Sequence, residues 1–140
     1  MTATTIAEEM PPRVARGMMS DIAAVAVRAL LTPVHEGKIH YLSGPEPLLP
    51  VDRLAMLGAV LGRSLTLRAL SPDEARAELS AAMPAEYVDA FFRFYVDGTL
   101  DESVVHPTVE AITGRPPRTF RQWATAHADA FAPTSRTLSG

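Results

Sequence analysis

Histidine and tyrosine side chains are the groups of this 140-residue chain that could transfer a proton or orient a bound molecule. The chain has no cysteine, so the sequence offers no thiol nucleophile, disulfide or cysteine-ligated metal. His106 lies in a polar loop with Asp101 and Glu102, and His40 lies in a predicted strand. These two histidines and the hydroxyl of Tyr95 are the predicted catalytic groups. The two histidines are too far apart in sequence to indicate a metal site, and we expect none.

Aromatic residues concentrate in one predicted helix, which begins at Pro84 and ends at Gly98. An aromatic helix face of this kind either packs into a core or lines a pocket for an apolar ligand. On the second interpretation the predicted substrate-binding residues come from this helix, from the first strand and from the turn after that strand: Tyr87, Phe91, Phe94, Tyr41 and Glu46.

Composition narrows the classes of partner. A net charge of −3 argues against a nucleic acid, which needs a basic face. No apolar run approaches the ~20 residues of a membrane span, and Glu8 and Glu9 interrupt the place where a signal peptide would have its apolar core. We therefore expect a soluble cytoplasmic protein without a nucleic-acid or membrane partner.

Hydrophobic periodicity predicts a helix, a strand, a second helix and a second strand in the first half of the chain. The first helix begins after Ser20, a plausible N-cap, and the first strand covers Lys38–Ser43. A second helix begins at Pro50, and a second strand covers Ser64–Leu70. Because the connection is short and helical, these strands should be parallel neighbours in a βαβ unit.

The second half is predicted to be helical. Ser71, Pro72 and Glu74 form a capping box, and Thr119 caps a final helix. The predicted fold class is therefore α/β, mostly helical, with one βαβ unit and a short parallel sheet. Residues 1–16 are expected to be a flexible arm, residues 17–131 one domain, and residues 132–140 a disordered tail.

Four segments in this order resemble the C-terminal portion of NmrA-like proteins, which are atypical relatives of the short-chain dehydrogenases and reductases: DIAAVAVRAL, YLSGPE, LAMLGAVLGR and TGRPPRTFRQWATAHADAF. The resemblance covers roughly residues 17–131 and implies a substrate-binding domain. The glycine-rich phosphate turn of the family's N-terminal Rossmann half is missing, and so is the Tyr-x-x-x-Lys pair. No NAD(P) site or other cofactor is therefore expected in these residues.

A substrate-binding portion that lacks the Rossmann half is consistent with two functions. The first is a cofactor-independent enzyme of cyclase, isomerase or lyase type that acts on a small apolar secondary metabolite by holding it in a reactive pose. The alternative is a non-catalytic module that senses a ligand or docks on a Rossmann-containing partner. A truncated fragment without a function of its own is a third reading.

Self-association is expected in each case. In the family the first helix and first strand pack against the Rossmann half, so their apolar residues should be exposed here: Ile22, Val25, Leu30, Ile39 and Tyr41. A homodimer with two-fold symmetry would cover them.

Overall fold

The computed structural model describes residues 17–131 in full and the backbone of residues 2–6. A two-stranded parallel sheet pairs β1 (Thr2–Ile6) with β2 (Thr66–Leu70) in the register Thr2 opposite Thr66. Six helices accompany the sheet in the described residues: α1 (Met19–Leu31), α2 (Pro50–Leu61), α3 (Pro72–Ala82), α4 (Ala85–Tyr95), α5 (Thr108–Thr113) and α6 (Phe120–Ala126). Short 3-10 turns cover Pro33–His35 and Ala128–Phe131. The fold class is mostly helical α/β, as predicted.

The predicted first strand is wrong. Residues 38–44 belong to no helix, strand or turn, and β2 pairs with β1 instead. The sequence TATTI has the β-branched residues that strands favour, but it was assigned to the expected arm. The chain from β1 to β2 passes through α1 and α2, which supplies the long crossover that parallel strands need. Residues 7–16 and 132–140 lie outside the described residues, and the division into domain, arm and tail stays a prediction.

Helix ends follow local capping chemistry closely. The Ser71 hydroxyl accepts a hydrogen bond from the Glu74 backbone N–H, and the Glu74 carboxylate accepts from the Ser71 backbone N–H and hydroxyl. The backbone N–H is the largest cause that holds the pKa of Glu74 below its ordinary value. Thr119 caps α6 in the same way through Gln122. These two predicted caps are confirmed.

One predicted cap is wrong. Helix α1 begins at Met19 and has no side-chain cap. The Ser20 hydroxyl instead accepts a hydrogen bond from the Arg118 guanidinium at 2.9 Å.

The core around the sheet lies between β2, α3 and α4. Leu70, Ala75, Val88 and Phe92 are buried there, and Leu79, Met83, Phe91 and Val96 pack around them. The aromatic helix α4 therefore directs Val88 and Phe92 inward, and its remaining aromatic residues lie at the edge of this core or outside it.

An ion pair joins the two ends of the described domain. Asp21, only 5% exposed, accepts hydrogen bonds at 2.7 Å from the backbone N–H and from the guanidinium of Arg118. Carboxylates favour the first turn of a helix, and a buried carboxylate requires a partner. The pair fixes the start of α1 beside the connector that leads into α6.

We expect Arg118→Ala to lower the free energy of unfolding by about 2 kcal/mol. Removing one partner of a fully buried pair costs roughly 3–5 kcal/mol, and the half-exposed guanidinium of Arg118 reduces that cost. Urea denaturation of the variant measures the change. Arg115→Ala is the matched control, because Arg115 is exposed and lies in the same connector. Equal losses in the two variants would contradict the role assigned to Arg118.

Candidate substrate-binding site

A cleft of about 410 Å³ opens between the start of α1, the segment that precedes α2, and α6. Met18 and Met19 line it at the start of α1, and Phe120 and Trp123 line it from α6. The remaining lining residues are Gly17, Pro45, Glu46, Leu48 and Arg53. The volume lies within the range of small-molecule sites. The two adaptable thioethers and the two aromatic rings suit a flat apolar molecule.

Aromatic contacts fix the orientation of Trp123. Its ring lies 5.5 Å from that of Phe120 and stacks on His127 at 4.9 Å and 24°. The Nδ1 atom of His127 lies 2.8 Å from the Trp123 carbonyl oxygen, to which it donates. His127 is thus held against α6 by a hydrogen bond and by a stacked ring contact. Because Trp123 is the one tryptophan of the chain and lines the cleft, a tryptophan signal of the protein reports on this cleft.

The backbone around Ser43 connects the cleft to the predicted catalytic loop. A Cβ atom on Gly17 would lie 3.6 Å from the Ser43 carbonyl carbon, so these two backbone stretches run in contact. The Ser43 hydroxyl is buried and accepts a 2.7 Å hydrogen bond from the backbone N–H of His106. Residues 17–19, 43–46 and the end of the loop before α5 therefore form one assembly.

The predicted catalytic residues lie apart from one another. The His106 ring stacks on Tyr41, with ring centroids 5.8 Å apart and 28° between the planes. The His40 Nε2 atom lies 3.1 Å from Nδ1 of His35, and one nitrogen donates to the other. Tyr95 contacts Phe91 on α4 at 4.8 Å. None of the three lines the cleft.

Among the predicted substrate-binding residues, Glu46 alone lines the cleft. Tyr87 and Phe94 are exposed on α4, Phe91 packs at the edge of the core, and Tyr41 contacts His106. The structure therefore brings together Tyr41 with His106 and Phe91 with Tyr95, but not one site from all eight residues. The catalytic and binding roles assigned to them stay predictions.

The sequence did not identify the methionines or the α6 aromatics as lining residues. Ala124 is the one buried residue of α6, so Phe120 and Trp123 stay partly uncovered. The adjacent pair Met18-Met19 is a signal that the sequence contains. The structure adds that Met19 is highly exposed directly beside buried Met18. Which apolar residues of a helix remain uncovered depends on tertiary packing, and α6 packs mainly against α2.

The loop between α4 and α5 contains two carboxylates in different settings. The Ser103 hydroxyl, followed by its backbone N–H, donates to Asp101 and holds the pKa of that carboxyl below its ordinary value. One carboxylate oxygen of Glu102 is buried and accepts no hydrogen bond. In the described residues, no three histidine, aspartate or glutamate side chains converge as a metal site.

Comparisons with known proteins show that the chain is similar in sequence to part of several named reductases. It is 44% identical over 114 residues to (4-alkanoyl-5-oxo-2,5-dihydrofuran-3-yl)methyl phosphate reductase of Streptomyces griseus. The aligned region covers 81% of this chain and 40% of that protein. It is 39% identical to NAD(P)H azoreductase of Xenophilus azovorans over 79% of this chain and 40% of the relative. The chain thus spans about 40% of the length of these relatives. No protein-family model matches it.

Solved structures agree on the fold. An NADPH-dependent quinone oxidoreductase from Escherichia coli superposes with a TM-score of 0.69 at 23% identity, over 89% of this chain and 44% of that one. Triphenylmethane reductase of Citrobacter sp. superposes with a TM-score of 0.67 at 18% identity, over 89% of this chain and 44% of its own. The chain is therefore similar to one portion of NAD(P)-dependent reductases in both sequence and fold.

The described residues do not fit a dinucleotide. A phosphate-binding turn needs glycine between a strand and the start of a helix. The turn from β2 to α3 has Ser71 instead. The four described glycines with positive φ, Gly37, Gly62, Gly98 and Gly114, all follow helices or a helical turn. Neither the β2–α3 turn nor any of these four glycines therefore forms such a turn.

These comparisons overturn the expected chemistry. The prediction of a cofactor-independent cyclase, isomerase or lyase is wrong, because the relatives are named reductases and dehydrogenases. The lack of a glycine-rich turn in these residues therefore does not indicate a non-redox reaction. No helix in the described ranges has both the length and the apolar character needed to cross a membrane.

We expect Ser43→Ala to lower the free energy of unfolding by about 1–3 kcal/mol, because it leaves the His106 N–H near a methyl group without an acceptor. Urea denaturation again measures the change. Ser64→Ala, at an exposed position before β2, is the control and should change it by less than about 0.5 kcal/mol. A Ser43→Ala protein as stable as the control would show that this hydrogen bond does not hold the two loops together.

Proposed function

We propose that this chain is the substrate-binding part of an NAD(P)-dependent reductase of the NmrA-like kind. The similarity to named reductases over most of the chain supports the reaction class. The cleft between α1 and α6 supports the role of substrate binding, because its volume and its apolar lining are those of a small-molecule site.

The bound molecule is an apolar, conjugated organic acceptor. The names of similar proteins include an azoreductase, a quinone oxidoreductase and a triphenylmethane reductase, and each name refers to a conjugated organic group. Trp123 and Phe120 offer ring faces for stacking, and Met18 and Met19 adapt to irregular outlines. Glu46 and Arg53 add polar contacts that could orient a substituent.

The dinucleotide is held by a part that the described residues do not contain. That part is either another segment of a longer chain or a separate Rossmann-containing protein. NAD(P)H supplies a hydride when it is bound there. The share of this chain is to exclude water from the acceptor and to fix the acceptor's orientation.

Binding of a planar quinone tests the cleft. We expect isothermal titration calorimetry to detect binding of menadione to the chain, and Trp123→Ala to weaken this binding at least tenfold, since it removes the larger stacking surface. Tyr87→Ala is the matched control, because Tyr87 is an aromatic residue exposed on α4 and outside the cleft. A loss with Tyr87→Ala and none with Trp123→Ala would move the site to the aromatic helix and contradict the proposal.

A chimera tests the reductase role. Residues 17–131 would replace the matched segment of the Streptomyces griseus reductase, to which the chain is 44% identical. We expect the chimera to oxidise NADPH with menadione as acceptor, and Trp123→Ala to raise KM more than it lowers kcat. A folded chimera that binds menadione and NADPH but transfers no hydride would exclude the reductase role.

A further inference from the structure

The apolar residues on and after α1 do not show what covers them. Ile22, Leu30, Ile39 and Tyr41 are exposed as expected, whereas Val25 is buried, which corrects the prediction for that residue. Because the chain spans about 40% of the length of its relatives, a dinucleotide-binding part is enough to explain this exposure. The homodimer expected from these residues therefore stays a prediction. The surroundings of Trp123 are instead determined by contacts within the described chain.

The indole ring of Trp123 is enclosed by three other rings from the C-terminal part of the described chain. The His127 ring stacks on it, with centroids 4.9 Å apart and 24° between the planes. The Phe131 ring meets it edge-on at 6.2 Å, and the Phe120 ring lies tilted at 5.5 Å. His127 is exposed and does not line the cleft, whereas Trp123 does. His127 therefore occupies one face of the indole, and the rest of the ring is presented to the cleft.

The His127 ring is itself held by the end of α6. The backbone N–H of His127 donates to the Trp123 carbonyl oxygen at 3.1 Å, and the Nδ1 atom lies 2.8 Å from the same oxygen. A carbonyl oxygen only accepts, so Nδ1 carries the proton in this contact. The imidazole is thus anchored to the backbone of the residue on which it stacks, and the two rings constrain each other.

A fixed indole binds a flat molecule more tightly than a mobile one. A tryptophan on a helix face that is covered only in part can adopt several rotamers, and a ligand that stacks on it has to select one of them. Immobilising such a side chain on binding weakens affinity by about threefold to tenfold. His127 removes this loss in advance, because it holds the indole before the ligand arrives.

We propose that His127 is a positioning residue: its stacked ring holds the Trp123 indole in the orientation that an acceptor in the cleft requires, although His127 itself does not line the cleft. This inference rests on the proposed function of the cleft and adds the residue that fixes its stacking surface. The effect is on binding, so loss of the His127 ring should raise the KM for the acceptor and leave kcat unchanged.

The near-UV circular dichroism band of the indole tests the positioning without a ligand. A ring held in one asymmetric orientation gives such a band, and a mobile ring loses it. The band belongs to Trp123, because the chain has one tryptophan. We expect His127→Ala to lose most of this band and His127→Phe to keep it, since a phenyl ring can stack in the same place without the hydrogen bond. An unchanged band in His127→Ala would overturn the proposal.

Calorimetric titration with menadione tests the consequence for binding. We expect His127→Ala to weaken binding about threefold to tenfold, and His127→Phe to stay within about twofold of the wild-type chain. Thr125→Ala is the matched control and should bind as the wild type does. The Thr125 hydroxyl donates to the Arg121 carbonyl, also four residues back on α6, but it has no ring to stack. Far-UV circular dichroism and urea denaturation confirm that the variants are folded.

The results separate this proposal from the proposed function. A wild-type chain that binds no menadione would contradict the proposed function, and the indole band would still decide whether His127 fixes Trp123. Wild-type binding that His127→Ala leaves unchanged, or equal losses in His127→Ala and Thr125→Ala, would overturn the positioning role. A His127→Phe variant that behaves like His127→Ala in both measurements would overturn stacking as its cause.

Discussion

The contact between Asp21 and Arg118 is the constraint on which the candidate site depends. It joins residues 97 positions apart and holds the start of α1 beside the connector into α6. One wall of the cleft, Met18-Met19, ends two residues before Asp21, and the other, Phe120–Trp123, begins two residues after Arg118. Because the carboxylate is buried, it strongly favours the arrangement that keeps the guanidinium and the backbone N–H of Arg118 in place.

Local chemistry was readable from the sequence, and long-range pairing was not. The caps at Ser71 and Thr119 depend on neighbouring residues alone, and they were predicted. The partner of β2 was missed because strand pairing is decided over the whole fold, and residues 38–43 have a strand sequence without taking that place. The two family-like segments DIAAVAVRAL and TGRPPRTF are far apart in sequence, yet the structure joins them through Asp21 and Arg118.

In the candidate site, too, the local features could be predicted from the sequence and the tertiary packing could not. Glu46 was predicted from its place after the Gly-Pro turn, and it lines the cleft. The aromatic content of α4 was the stronger sequence signal, but Val88 and Phe92 are used for the core and Tyr87 remains outside. Amphipathic patterning shows which helix face is apolar, but it does not show whether another element covers that face. Trp123 lines a cleft because the face around it is covered only in part.

Similarity to reductases changes the meaning of the missing glycine turn. Read in isolation, the lack of a phosphate cradle suggested chemistry without a nicotinamide. The chain covers about 40% of its relatives, so the lack is equally expected of one part of a two-part reductase. The exposed apolar residues at the end of α1 fit this reading, because a dinucleotide-binding part would cover them.

The indole N–H resonance of Trp123 in a two-dimensional ¹H–¹⁵N spectrum tests the central claim most directly, because the chain has one tryptophan and it lines the cleft. If the chain is the substrate-binding part of a reductase, this resonance will shift when menadione is added and will stay in place when NADPH is added. A shift with NADPH, or menadione-induced shifts confined to α4 with the indole unchanged, would contradict the account.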